Sequence, residues 1–241
     1  MRVLRDFLTP ISFMILWSAL YVGKDQINGY TLTGMATYYI LVKIIDQLFS
    51  YEPAKLLARE IRTGDLSNYL AKPLKYYQYL FGYTVGKRLA RTTLTLFLVT
   101  ILFILFPQLV SFSPSLNYFF LFLLSLILAI ILVFELTYLL GCLGFWISEV
   151  DYFKNAWEQS SNILGGMWVP ISFFPQILQQ VLDYLPFKYE FYFTVMVFQG
   201  KLTLSQIYRG LIIETMWVLG LILVLKYVWE KGISKFESYG N

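Results

Sequence analysis

From Tyr118 to Ile147 the chain runs for thirty residues with a single charge, Glu135. At 1.5 Å per residue a helix of that length measures about 45 Å, against a hydrocarbon core of about 30 Å. It must tilt, project into water, or bend near Gly141 and Gly144. Composition extends the point to the whole chain. Of 241 residues, 58% are hydrophobic, 19% aromatic and only 14% charged, where soluble domains carry about 25% charged residues. With a mean hydropathy of +0.61, most of the chain requires an apolar solvent. A soluble enzyme, a disordered chain and a nucleic-acid-binding domain are excluded.

Six spans are expected: 7–22, 34–49, 92–106 (its helix reaching back through Tyr77), 118–147, 152–168 and 210–228. Apolar segments continue to the end, so the first is expected to be a span and not a cleaved signal. Lysine and arginine set the orientation. With both termini in the cytoplasm, Arg2, Arg5, Lys154, the eight basic residues from Lys55 to Arg91, and Lys226, Lys231 and Lys235 fall inside, 14 in all. Lys24, Lys188, Lys201 and Arg209 fall outside, and Lys43 lies within a span. The opposite topology would invert that bias. The fold class expected is therefore an all-α, multi-pass protein of the cell membrane. Residues 1–241 make one transmembrane domain, with no internal repeat.

The largest inside segment runs from Glu52 to Tyr77, its core at 53–73. Pro53 suits a first helical turn. Ala54, Leu57, Ala58 and Ile61 share one face at i, i+3, i+4 and i+7, and Lys55, Arg59 and Arg62 make a basic one. Gly64 is placed to cap this helix, and Asp65 to N-cap a second short helix carrying Leu66, Tyr69 and Leu70 that stops before Pro73. Such a pair of amphipathic helices either rests on anionic headgroups or docks a cytoplasmic partner.

Four stretches carry a resemblance. Ile61-Arg62-Thr63-Gly64-Asp65-Leu66, followed by Leu70-Ala71-Lys72-Pro73, is similar to the first cytoplasmic loop of ABC-2-type transporter permeases. Gly165-Gly166 before Pro170-Ile171-Ser172-Phe173-Phe174-Pro175, then Leu185-Pro186-Phe187, and the tail from Trp229 to Gly240 follow in the same order. The bacterial subgroup that pairs two permeases with one ATPase is the nearest match. Relatives usually begin with an interfacial helix before the first span, and often carry a proline in the stretch that reads FYFTVMVFQGKLT here. The resemblance implies that Leu57, Ile61, Arg62, Gly64, Asp65, Leu66 and Leu70 form a coupling element seated in a separate ATPase. It also implies two copies of that ATPase, holding ATP and magnesium, and a second permease, identical or related.

Between spans five and six, Pro170, Pro175 and Pro186 prevent one continuous helix. An amphipathic helix of about ten residues is expected after Pro175, with Ile177, Leu178, Val181, Leu182 and Leu185 on one side and Gln176, Gln179, Gln180 and Asp183 opposite. Phe187 to Phe198 is a second half-length apolar run. Broken backbone at membrane depth must be buried in protein or line a wet cavity, so 170–200 is expected to re-enter. The resemblance places such short outer helices over the exit of a pathway. An aromatic belt at headgroup level is the other reading.

Polar groups inside spans are costly and mark interfaces or pathways. Asn155, Glu158, Gln159 and Asn162 form a stripe on span five that should face another subunit or a water-filled route, or else bond between helices. The resemblance implies that spans two and five line such a route. Lys43 and Asp46, at i and i+3, are expected to pair structurally. Glu135 and Glu214 are isolated acids needing partners, each other among the candidates.

With no histidine and one cysteine, Cys142, a transition-metal site would have to be built from carboxylates alone. No metal site, catalytic set or cofactor bound by this chain is expected. No P-loop is present either, since Gly200-Lys201-Leu202-Thr203 lacks the upstream glycine. ATP hydrolysis must then lie on another chain. An ion-coupled secondary transporter is the main rival, and a lipid enzyme using Glu149 and Asp151 around a divalent ion is a lesser one.

Overall fold

The computed structural model describes residues 15–105 and 116–239. Among them every regular element is helical, with no strand beyond an isolated bridge between Ile27 and Tyr30. Residues 15–20 are helical, and the rest of the first expected span, 7–14, lies outside the described residues. Ten further helices follow: α1 (Leu32–Leu48), α2 (Glu52–Thr63), α3 (Leu66–Leu70), α4 (Tyr76–Leu105), α5 (Leu116–Cys142), α6 (Val150–Leu164), α7 (Gln176–Leu182), α8 (Phe187–Glu190), α9 (Tyr192–Phe198) and α10 (Leu204–Tyr239).

Among the described residues two helical stretches are long and apolar enough to cross a membrane by length and composition, Leu116–Phe145 and Leu204–Phe236. The first takes in most of the thirty-residue run of the sequence, and its α-helix ends between the two glycines. α5 ends at Cys142 and tightens into a 3₁₀ turn, Leu143–Phe145. α6, with 15 residues, spans only about 22 Å.

Local sequence explains the ends. The Thr31 side chain accepts from the Gly34 N–H and caps α1. Pro53 opens α2, and Gly64 closes it at φ +80°, a left-handed conformation that glycine adopts without penalty. Asp65 departs from expectation. It stands before α3 with helical backbone angles and makes no capping bond. Its carboxylate accepts from the Thr63 hydroxyl instead, at 2.7 Å.

One end of the bundle holds the basic helix α2. Its apolar face is fully taken up by the chain. Leu57, Ile61 and Leu66 are buried with Tyr138, Cys142 and Phe145. The approach is close because the end of α5 and the 3₁₀ turn after it present glycines there. A Cβ on Gly141 would stand 3.0 Å from Leu57 Cβ and 3.1 Å from Ala54 Cα, and one on Gly144 would stand 3.0 Å from Ala58 Cα. Towards the opposite end the chain after Pro175 folds back along α1. Phe191, between α8 and α9, brings its ring to 5.1 Å from Phe49 at the far end of α1. α9 then climbs back until Gln199 Nε2 donates to Gly34 O at the start of α1, at 2.7 Å.

Candidate functional site

The α2–α3 knob is held by polar bonds as well as by packing. Glu60 is buried and accepts from the Tyr76 hydroxyl at 2.5 Å, and the Tyr76 ring stacks on Trp229 of α10. Lys87 of α4 donates to both carboxylate oxygens of Glu52 at 2.9 Å. Tyr69 lies against Tyr79, and the hydrogen bond between their hydroxyls, 3.4 Å long, with some burial, pushes the Tyr69 phenol up to about 12. Seven residues were expected to meet a partner here. Leu57, Ile61 and Leu66 are buried against their own chain and offer it no surface. Gly64 is half-buried at the turn, while Arg62, Asp65 and Leu70 are exposed along with Lys55, Arg59, Ser67 and Asn68. The inward face fastens the knob, and the outward face is polar and basic.

The second group of expected residues lies on α6. Asn155 and Gln159 are exposed and Asn162 is half-buried. Glu158 is not a free acid: Lys154 Nζ pairs with its Oε2 at 3.0 Å, one turn earlier. Lys43 and Asp46 lie 3.4 Å apart on the last turns of α1. Sequence reasoning paired Lys43 with Asp46 and set Glu158 in a separate polar stripe, but the fold brings Asp46 and Glu158 close together. Asp46 is within electrostatic reach of Glu158 and of Arg88 on α4.

Beside them stands a residue that sequence reasoning passed over. Glu190 is completely buried, and Ser161 of α6 donates to its Oε1 at 3.0 Å while Oε2 has no partner. The Tyr51 hydroxyl, likewise buried, lies beside Ser161 and within electrostatic reach of Glu190, Asp46 and Glu158. The available signal was an acid in the aromatic run Tyr189-Glu190-Phe191-Tyr192 of a segment expected to re-enter.

The other two acids do not pair with each other. Glu135 accepts from the Tyr77 hydroxyl at 3.3 Å. Glu214 accepts from Ser125 at 3.3 Å, and Ser125 also bonds Thr194 of α9. Glu149 and Asp151 are exposed at the start of α6, and among the described residues no group of histidine, cysteine and acidic side chains is arranged to hold a metal.

On the far side, α7 is turned differently from the expected arrangement. Leu182 is buried, but Ile177, Val181 and Tyr184 point outward. Gln179, expected on the polar side, reaches inward and donates to the carbonyls of Ser172 and Phe174, at 3.3 and 2.7 Å. Arg209 donates to the Tyr184 hydroxyl at 3.0 Å. Lys201 lies over the Tyr30 ring and donates to Gly29 O at 3.1 Å, and burial pushes its ammonium down to about 8.

An all-helical chain with membrane-length apolar helices and a fastened basic knob is a membrane component of a transport system. The chain belongs to the family of ABC-2 transporter proteins, whose family model matches residues 7–240. It is thus a membrane-embedded permease of an ABC exporter, a component distinct from the ATPase that works with it. No curated protein matches the chain.

Proposed function

We propose that this chain is a six-span permease subunit with both termini in the cytoplasm of a cell-membrane exporter. It pairs with a second permease, identical or related, and with two copies of a cytoplasmic ATPase that carries ATP and magnesium. The observation behind this reading is the division of labour in the knob. Its apolar face is consumed by α5, while Arg62, Asp65 and Leu70 remain exposed on its tip. Force on that tip passes through the glycine crossing to α5 and through Tyr76 and Trp229 to α10. Closure of the ATPase subunits then shifts the permeases between states in which the route beside α6 is shut or open. Such a shift requires the tip to be held differently in the two states.

The test uses the exposed residues, because aspartate at Ile61 or Leu66 would break the core. Replacing Arg62 with glutamate and Leu70 with aspartate should leave the melting temperature within about 1 °C, a surface-scale effect. The same double variant should abolish co-purification of the ATPase and substrate-stimulated ATP turnover. Retention of both by the folded variant would overturn the docking assignment.

An ion-coupled reading draws on three buried carboxyls, Glu135, Glu190 and Glu214, each hydrogen-bonded by a single hydroxyl. Transport that survives ATP depletion but stops when the proton gradient collapses would put that reading in place of the ATP-driven one.

A further inference from the structure

From Leu66 to Phe134 the sequence holds no aspartate or glutamate, and its five cations, Lys72, Lys75, Lys87, Arg88 and Arg91, all lie before the uncharged run that begins at Thr92. α4 carries the last three of them and continues without a break to Leu105. Stepping back from Arg91 by four residues at a time gives Lys87, Tyr83 and Tyr79, one helix face about 18 Å long.

The chain covers only the other side of this stretch. Leu80, Thr84 and Thr92 are buried, whereas Tyr79, Tyr83, Lys87, Leu89 and Arg91 are exposed. A Cβ on Gly82 or Gly86 would meet nothing within 4 Å, so no other part of the described chain approaches here. The rings form a ladder. Tyr79 lies 4.9 Å from Tyr69 and stacks on Tyr83 at 6.2 Å, and Lys87 Nζ stands 5.6 Å from the Tyr83 ring. The charges do not cancel. Glu52 balances Lys87, and Asp46, already paired with Lys43, reaches the half-buried Arg88. Among the described residues no acid pairs with Arg91, or with Lys72 and Lys75 further back.

We infer that the exposed face of α4 from Tyr79 to Arg91 binds anionic phospholipid in the leaflet next to the knob, the phosphate against Arg91 and Lys87 and the rest of the headgroup against Tyr83 and Tyr79. Tyrosine rings favour headgroup depth, and a cluster of cations just before a span draws an anionic leaflet. A neutral headgroup gains the rings but not the charge. Continuity favours lipid over a soluble acidic partner, since the same helix turns uncharged one residue after Arg91. This goes beyond the export reading and rests on it only in taking α4 as a span. Lys87 also holds Glu52 of α2, and Tyr79 also touches Tyr69 of the knob. Lipid bound on this face therefore fixes the height of the knob above the membrane.

The experiment uses the purified full-length permease in lipid nanodiscs, without any ATPase. A fluorophore on Leu89→Cys, exposed beside this face, is quenched by brominated dioleoylphosphatidylglycerol or by brominated dioleoylphosphatidylcholine, each diluted in the unbrominated form of the other. Cys142 is buried and should take no label. Around Leu89 the phosphatidylglycerol should be preferred about tenfold, and a label on Leu219→Cys, exposed on the apolar part of α10, should show no preference. Arg91→Gln should cut the preference about fivefold, the equivalent of about 1 kcal/mol for one cation at an anionic surface. Arg91→Lys should keep it. Both variants should melt within about 1 °C of the parent, as exposed substitutions do.

Equal association of the two lipids around Leu89 would overturn the assignment. So would the same preference at Leu219, or a preference that Arg91→Gln leaves unchanged. Loss of ATPase co-purification in Arg91→Gln with its lipid preference intact would give the face to the protein partner instead. No quenching at Leu89 by either lipid would overturn the span together with the site. The knob variant, Arg62→Glu with Leu70→Asp, should leave the lipid preference as it is, so failure of ATPase docking and failure of lipid binding are read separately.

Discussion

Two regions of the molecule are built from short amphipathic helices, and they treat their apolar faces in opposite ways. α2, at the basic end, turns Leu57 and Ile61 inward onto Gly141 and Gly144. α7, at the other end, keeps Leu182 inside but holds Ile177, Val181 and Tyr184 outside. The difference lies in the receiving surface. Two glycines one turn apart, Gly141 at the end of α5 and Gly144 in the 3₁₀ turn after it, give α2 a groove into which an alanine-lined face can close. α7 has no such groove, and the inward bonds of Gln179 to two carbonyls set its rotation. Amphipathic pattern states that a face wants cover; the partner surface decides which face receives it.

Filling the groove is the most damaging change expected. Gly144→Leu puts a side chain where Ala58 Cα is 3.0 Å away, and overpacking of this kind costs about 1–3 kcal/mol or more. The permease should melt several degrees lower and lose ATPase coupling together, because the knob is lifted off α5. A melt combined with co-purification checks both. Second in size, Glu60→Ala strands the Tyr76 hydroxyl in the core, costing about 1–3 kcal/mol; Glu60→Gln, which can still accept, should recover most of it in the same melt. The matching change at the other end is smaller. Gln179→Leu gives up two bonds to carbonyls, about 1 kcal/mol each, and frees α7 to turn over, so labelling of a cysteine placed at Ile177 should slow. If that labelling is unchanged, Gln179 does not set the rotation and the contrast between the ends fails.

The smallest effect is a pH dependence. The ordinary lysine value of 10.5 falls to about 8 at Lys201. Between those values the unfolded chain holds more protons than the folded one, so stability should rise as pH climbs from 8 towards 10.5. Lys201→Gln should flatten that rise, read as melting temperature against pH.

Much of the basic end was legible because it follows from period and caps. The spacing of Ala54, Leu57, Ala58 and Ile61, the proline start and the glycine stop are local properties of the chain. Their partner was not legible, since nothing local to Gly141 or Gly144 says which helix will cross them more than eighty residues away in sequence. The apolar residues of α7 share one broad face, and that face can turn either Leu178 and Leu182 or Ile177 and Val181 inward, so the pattern alone does not choose a rotation. Lys43 and Asp46 were readable as a pair, being one turn apart on a single helix. Their nearness to Glu158 depends on how α1 packs beside α6, and so does the corner formed by Tyr51, Ser161 and Glu190. Asp65 shows the limit of cap rules: a hydroxyl two residues earlier competed for its carboxylate and took it.

The last helix, α10, is 36 residues long, about 54 Å from end to end. Near its beginning it packs on α9, where a Cβ on Gly210 would meet the Phe193 ring at 2.2 Å. Near its finish it packs on the 3₁₀ turn of α5, where a Cβ on Gly232 would meet the Phe145 ring at 2.1 Å. A continuous rod pinned so tightly at both extremities works as a rocker arm. A swing of about 5° around its middle would carry each tip roughly 2 Å in opposite directions, by its length alone. If an ATPase docks at the knob as proposed, a nudge there would reach the Phe193 end of the rod within the same movement, with no relay in between.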